Sequence, residues 1–220
     1  KQMFDYRNVT IHNYDEDLLK DYKDIISYKK PQLIIFHLLG QHFQYSLRCK
    51  SNMKKFGIED YKRMDLTDKE KQTIADYDNA TLYNDFVLNK IVEQFRNKDA
   101  IIVYLSDHGE DCYGKDVNMA GRLTEVEQIN LKKYHEEFEI PFWIWCSPVY
   151  KQRHRKIFTE TLLARNNKFM TDDLPHLLFY LAGIKTKDYC EERNVISSSF
   201  NNNRRRLVLK TIDYDEALYQ

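Results

Sequence analysis

The sequence predicts an α/β fold with three layers, in which a mostly parallel β-sheet is flanked by helices on both faces. Continuous apolar runs at Leu33 to Leu39, Ala100 to Leu105 and Ile140 to Trp145 are typical of strands buried on both faces. Segments with apolar residues at three- and four-residue steps alternate with these runs. Such alternation favours parallel strands that are joined by crossover helices.

The remaining elements follow from periodicity and capping residues. The longest helix is predicted over residues 68–97, where Ile74, Tyr77 and Leu88 share one face. Further helices are predicted at about residues 15–26, 123–138, 151–164 and 172–182, and short strands at Val9 to Ile11, Val195 to Ser198 and Leu207 to Leu209. Because no repeat or low-complexity linker interrupts this order, residues 1–220 are predicted to form a single domain.

Charge and composition exclude several functional classes. The 34 basic and 34 acidic residues cancel, so no global field favours nucleic acid or a membrane surface. The run Arg204 to Arg206 is interpreted as a solvated turn before a strand. No apolar run approaches the roughly 20 residues that a membrane helix needs. The four cysteines form no C-x-x-C pair, which argues against a zinc ribbon.

Polar residues that can carry chemistry follow two of the predicted buried strands, where α/β sheets bind their ligands. Asp107-His108, in the sequence S-D-H-G-E, offers a carboxylate and an imidazole, both of which zinc favours. Gly109 is expected to permit the turn that brings both to one ion. The alternative is that Asp107 caps a following helix and His108 packs against it.

Two histidines belong to the other strand end. His42 lies just beyond the run 33–39, where it could bind a phosphate or sulfate oxygen or donate a proton to a leaving group. His37 lies inside the apolar run, and we interpret it as a core histidine rather than a ligand.

The order of these motifs resembles that of the phosphoethanolamine transferases in the sulfatase / alkaline phosphatase superfamily. The resemblance extends over about residues 30–200. Its carriers are H-x-x-G-x-H at His37 to His42, Tyr77-Asp78-Asn79, Leu105 to Glu110 and Ile140 to Trp145, with a weaker late match at Asp173 to His176 and Leu181 to Ile184.

The resemblance implies an alkaline-phosphatase-like fold and a role for each motif. Asp107 and His108 would be two ligands of a catalytic zinc, and His42 would contact the transferred phosphoryl group. Residues 77–79 would be structural, holding their helix against the strand that carries Asp107. In the family the nucleophile is an upstream Thr, so no catalytic nucleophile is expected within this chain. We expect the C-terminal portion of a sulfatase-type catalytic domain, inactive alone.

The resemblance also implies partners and a location. A phosphatidylethanolamine-like donor and a lipid or glycan acceptor are expected, as in lipopolysaccharide modification. The full-length protein would lie in the inner membrane through N-terminal helices, with this domain on the periplasmic side. We expect no nucleic acid as a partner. An exposed sheet edge could pair two copies into a homodimer.

Two features leave alternatives open. Ala120 stands where the family often has a second histidine, and His135, the candidate substitute, is interpreted as a solvated surface residue. Cys146-Ser147-Pro148 resembles the start of the C-x-P-x-R motif of sulfatases, but Tyr150 replaces its arginine, and we interpret Cys146 as the end of a core strand. A sulfatase, another phospho-transferase of this superfamily or a non-catalytic domain of this fold remain alternatives.

Overall fold

The structure, a computed structural model, describes residues 12–123 and 129–219. They form two compact units, one ending at Glu93 and the other beginning at Gln94. In the described ranges the α-helices are α1 Glu16–Tyr22, α2 Asp68–Phe95, α3 Leu131–Tyr134, α4 Pro148–Arg153, α5 Arg155–Leu163, α6 Leu174–Leu181 and α7 Tyr214–Tyr219. The strands are β1 Ile101–Leu105, β2 Asp111–Cys112, β3 Ala120–Gly121, β4 Phe142–Cys146, β5 Leu207–Val208 and β6 Ile212–Asp213. The predicted strand at residues 9–11 lies outside the described residues.

The core of the first unit is built on α2. The helix begins with a capping box, in which the Glu70 carboxylate accepts the Thr67 N–H at 2.7 Å and Thr67 Oγ1 accepts the Glu70 N–H at 3.3 Å. The buried face of α2 in this unit carries Ala75, Ala80, Tyr83, Val87 and Ile91. Their spacing of three to five residues confirms the predicted long helix.

The apolar run 33–39 is extended but is not a strand. Its side chains alternate, so that Leu33 is 72% exposed and Ile35 is 64% exposed while Ile34 and Phe36 are half-buried. No segment among the described residues pairs with it, and a strand needs a partner to take its backbone hydrogen bonds. The strand predicted here is therefore wrong. His37 is exposed on the same side, so its interpretation as a core histidine is also wrong.

In the second unit, β1 pairs with β4 in antiparallel orientation, with Ile101 opposite Cys146 and Leu105 opposite Phe142. The chain leaves β1 and enters β4 at the same end of the pair, so the connection between them does not cross over. The other described pairs, β2 with β3 and β5 with β6, are antiparallel too. The expected parallel orientation is thus not found in the part of the chain that the structure describes.

The second unit has its main core beneath this strand pair. Leu177, Val195 and Ile196 are buried there, and Val103 of β1 and Ile144 of β4 pack against them. Residues 195–198, predicted as a strand, form turns instead, in which the Ser197 N–H donates to the Asn194 carbonyl at 2.8 Å. These residues are apolar because they fill the core, and burial alone does not specify a strand.

The later helices differ from their predictions in detail. The single helix predicted at 151–164 is two helices, α4 and α5, which meet at His154, where the backbone leaves the helical region. Only α3 and a 3₁₀ turn at residues 135–137 are described in the range 123–138. No helix within residues 12–123 and 129–219 is long and apolar enough to cross a bilayer.

The arginine run 204–206 is not a free basic patch. Arg204 bonds to the carboxylates of Asp172 and Asp173 at distances down to 2.7 Å. Arg205 and Arg206 donate to Asp213 and Asp215 in the same way. As interpreted, the run lies in a turn that leads into β5, and each of its guanidinium groups is paired with an aspartate.

Candidate functional site

The turn after β1 brings Asp107 and His108 together. His108 Nδ1 lies 2.9 Å from the Gly109 carbonyl oxygen, and because a carbonyl can only accept, Nδ1 carries the proton. The lone pair of the ring is then on Nε2, which lies 3.7 Å from Asp107 Oδ1. The Asp107 side chain is 81% exposed. The next element is β2 rather than a helix, so the alternative in which Asp107 caps a helix is wrong.

Gly109 is required for close approach, not for an unusual torsion. Its φ is not in the positive region that favours glycine. Its N–H donates to the Glu137 carbonyl at 3.1 Å, and a Cβ here would lie 1.9 Å from the Glu136 carbonyl oxygen. Gly109 thus permits the turn, as expected, but through its small size rather than through backbone freedom. Its missing side chain lets the Asp107-His108 turn rest directly on the backbone of residues 136–139.

The turn places two atoms of the kinds that bind zinc near each other. Zinc bonds of about 2.0–2.1 Å in a tetrahedron place neighbouring ligand atoms roughly 3.3 Å apart, close to the separation of His108 Nε2 and Asp107 Oδ1. The pairing of an imidazole nitrogen with a carboxylate oxygen also suits that ion. Within residues 12–123 and 129–219, no three histidine, cysteine, aspartate or glutamate side chains lie close enough to hold a metal.

A buried acidic pair lies behind the same turn and was missed from the sequence. Asp111 is fully buried, and its carboxylate lies beside that of Glu137. Burial, followed by the charges of Glu137 and Glu136, raises the pKa of Asp111 to about 6. The Glu137 carboxylate accepts the Leu123 N–H at 3.0 Å. The sequence shows two acidic segments, G-E-D ending at Asp111 and H-E-E-F-E around Glu137. Nothing in either segment predicts that the two lie next to each other in the fold.

His135 belongs to this buried region rather than to the surface. It is partly buried, and its Nδ1 is enclosed without a hydrogen-bond partner in the described part of the chain. Its charge opposes the rise in the pKa of Asp111. The interpretation of His135 as a solvated residue is wrong, because the 3₁₀ turn at 135–137 packs against the Asp107-His108 turn through Gly109.

His42 lies on an exposed turn of the first unit. Gly40 adopts a φ of +51°, and the His42 N–H closes the turn by donating to the Leu39 carbonyl at 2.9 Å. Arg48 Nε donates to the His42 carbonyl at 3.2 Å, and Arg48 Nη2 donates to the Phe43 carbonyl at 3.4 Å. The backbone is held while the imidazole remains exposed, so the ring is available to a ligand.

Asp78 and Asn79 of the Tyr77-Asp78-Asn79 motif bind a neighbouring segment of the first unit. Asn79 is buried and its Oδ1 accepts the N–H groups of Lys55 and Phe56 at 2.6 and 3.0 Å. Asp78 accepts the Tyr61 hydroxyl at 2.6 Å. These contacts attach the segment that follows the His42 turn to α2, and the expected contact of this helix with the strand that carries Asp107 stays a prediction.

Two other sequence candidates are structural. Cys146 is the buried last residue of β4, as interpreted, and the following Ser147 caps α4 by accepting the Tyr150 N–H at 3.0 Å. Burial raises the pKa of the Cys146 thiol, which disfavours a reactive thiolate. His176 is buried, and its Nδ1 accepts the Cys190 N–H at 3.1 Å.

Comparison with known proteins now decides the family. A family model described as Sulfatase matches residues 2–184. The chain belongs to the sulfatase family. The recognised resemblance and the alkaline-phosphatase-like fold are thereby confirmed, although the described strand pairs are antiparallel.

Relatives and solved structures in this family carry transferase names. The chain is 30% identical to phosphoethanolamine transferase EptC of Escherichia coli strain K12, over 97% of this chain and 37% of that protein. It is 31% identical to phosphoethanolamine transferase EptA of Helicobacter pylori, over 70% of this chain and 29% of that protein. The chain thus spans 37% of the length of the first relative and 29% of the second.

Among solved structures, the chain is similar to the C-terminal periplasmic domain of EptC from Escherichia coli in complex with Zn. The TM-score is 0.76 at 29% identity, over 99% of this chain and 61% of that one. The soluble domain of lipooligosaccharide phosphoethanolamine transferase A from Neisseria meningitidis shares the fold, with a TM-score of 0.64 at 19% identity.

Proposed function

We propose that this chain is part of a zinc-dependent phosphoethanolamine transferase, to which it contributes the metal ligands Asp107 and His108 and the substrate-binding residue His42. The observation that carries the proposal is the pair of ligand atoms on the turn after β1, 3.7 Å apart and open to solvent. The transferase names and the Zn complex among the relatives support the same reading.

Asp107 and His108 would hold the ion from one side. Bound zinc would act as a Lewis acid on a phosphoryl oxygen, lowering the cost of negative charge that develops there. The contact between His108 Nδ1 and the Gly109 carbonyl would keep Nε2 unprotonated and aimed at the ion. The remaining ligands and the nucleophile would come from elsewhere in the full-length protein.

His42 would bind the group that is transferred. Its imidazole is exposed, while the backbone on both sides of it is fixed by hydrogen bonds. A fixed donor beside a phosphoryl oxygen stabilises the charge of the transition state without reorganisation. The donor would be a phosphatidylethanolamine-like lipid and the acceptor a lipid or glycan, on the periplasmic side of the inner membrane.

The proposal is tested in the full-length protein by mass spectrometry of a lipid acceptor and by metal analysis. Asp107→Ala and His108→Ala should each lower transfer at least about a hundredfold and lower bound zinc, because each removes a ligand. His42→Ala should slow transfer about a hundredfold while zinc content is retained. Retained transfer in Asp107→Ala would overturn the metal assignment.

A matched control guards against general damage. Asp85 is an exposed carboxylate in the middle of α2, so Asp85→Ala should leave both transfer and zinc content unchanged. An aryl sulfate assay on the same preparations addresses the sulfatase alternative. Sulfate release without phosphoethanolamine transfer would favour that alternative and reject the transferase.

A further inference from the structure

The turn that presents His42 is held by a carboxylate from a distant part of the sequence. Asp15 Oδ1 accepts the Leu39 N–H at 3.0 Å, and Asp15 Oδ2 accepts the Gly40 N–H at 2.8 Å. Each carboxylate oxygen thus binds one of two successive backbone N–H groups. Charge-assisted bonds of this kind are stronger than neutral ones and fix the orientation as well as the position of the peptide.

Asp15 is itself held from both sides. Tyr14 makes an edge-on contact with Tyr83 of α2, with ring centroids 5.8 Å apart. Glu16 is buried, pairs with Lys50 and lies 3.7 Å from Lys90 Nζ of α2. Because its two neighbours are anchored, the Asp15 carboxylate has little freedom to leave the Leu39-Gly40 peptide.

The opposite side of the turn is closed by Arg48, which donates to the carbonyls of His42 and Phe43. The backbone of residues 39–43 is therefore fixed by an anion at its N–H groups and a cation at its carbonyls. Neither group bonds to the imidazole of His42. His42 Nδ1 lies 3.4 Å from the Phe43 carbonyl that also accepts from Arg48, so this arrangement holds the ring in place and leaves Nε2 to meet a ligand.

We propose that Asp15 is a positioning residue, which acts through the Leu39-Gly40 backbone to aim His42 at the transferred phosphoryl group. The inference rests on the proposed function, which gives His42 that role. Asp15→Asn is the informative variant, because an amide keeps one acceptor oxygen but turns an NH₂ group toward the second N–H. Asp15→Glu, which keeps the carboxylate on a longer stem, should recover part of the effect.

The first test needs no activity and uses this chain. In Asp15→Asn, the amide protons of Leu39 and Gly40 should exchange at least about tenfold faster than in the wild type, and the ring signals of His42 should shift. Asp17→Asn is the control, since Asp17 lies two residues further along the chain, on α1, and its carboxylate pairs with Lys20 at 2.7 Å. Unchanged exchange at both amides would overturn the contact itself.

The second test is a double-mutant cycle in the full-length protein. Asp15→Asn should lower kcat about tenfold with little change in KM, and should add at most about twofold when His42 is already alanine. A full tenfold loss in the His42→Ala background would overturn the positioning role. If His42→Ala alone left the rate unchanged, the proposed function of His42 would fail instead, so the two failures are distinguishable.

Discussion

The two turns that carry the candidate residues are held in opposite ways. The turn at His42 is held by side chains, because Asp15 and Arg48 bond to its backbone while Gly40 meets only ordinary contacts. The turn at Asp107-His108 is held by backbone packing, because Gly109 is pressed against residues 136–139. The first turn should therefore be disturbed by substitution of Asp15 or Arg48. The second turn should be disturbed by any side-chain atom added at Gly109.

The largest expected contrast is between the two turn glycines. Gly109→Ala should cost about 3 kcal/mol or more, because the added methyl would overlap the Glu136 backbone. Gly40→Ala should cost about 1–2 kcal/mol, because the strain comes only from its φ of +51°. Urea denaturation followed by circular dichroism measures both. Equal costs would show that the two turns are held alike.

A smaller effect is expected from the acidic pair behind the second turn. The pKa of Asp111 is raised from 3.8 to about 6, so the folded state favours the protonated form. Its contribution to stability is present below about pH 4 and is lost as the pH rises through about 6. Asp111→Asn should therefore stabilise the chain by the order of 2 kcal/mol at pH 8 and by little at pH 4.

Thermal melts across this pH range provide the measurement. Asp116→Asn is the control, because Asp116 is exposed in the same connection and should show no such pH-dependent gain. A constant difference between Asp111→Asn and the wild type at all pH values would contradict the raised pKa. Glu137, Glu136 and His135 face Asp111, so their charges enter the same titration.

The smallest effect concerns the apolar runs that lead into the turns. Ile35→Thr should change the free energy of unfolding by less than about 0.5 kcal/mol, because the side chain is 64% exposed. Val103→Thr should cost about 1–2 kcal/mol, because Val103 packs on the second core and would bring a hydroxyl into it. If both cost the same in denaturant titrations, residues 33–39 would be packed as well as β1 is.

Prediction from sequence succeeded where a signal was local or strongly periodic. The apolar face and the N-terminal cap of α2 predict that helix. The apolar runs of β1 and β4 predict those strands, which pair with each other. The run 33–39 carried the same signal, but strand formation depends on a partner that composition does not reveal. The sequence predicts a strand at Val195 and Ile196 because β-branched residues are common both in strands and in buried turns.

The candidate site was predicted in part for the same reason. Asp107, His108 and His42 belong to compact motifs, and their roles remain predictions to be tested by the substitutions above. The roles of Asp15 and Asp111 could not be predicted from the sequence. The partners of Asp15 lie 24 or more residues away along the chain, and those of Asp111 lie about 25 residues away. Contacts between residues so far apart in sequence depend on the tertiary fold, and no rule of residue spacing predicts them.

The strand β4 also gives the chain a built-in optical reporter. The sequence contains two tryptophans, Trp143 and Trp145, and both lie on β4, where Trp143 stacks on Tyr104 at 5.0 Å between ring centroids. Indole emission selectively excited at long wavelength therefore originates in the second unit alone, although sixteen tyrosines are spread along the chain. A quenching or red-shift experiment would follow the loosening of that unit without any contribution from the helix-rich first one.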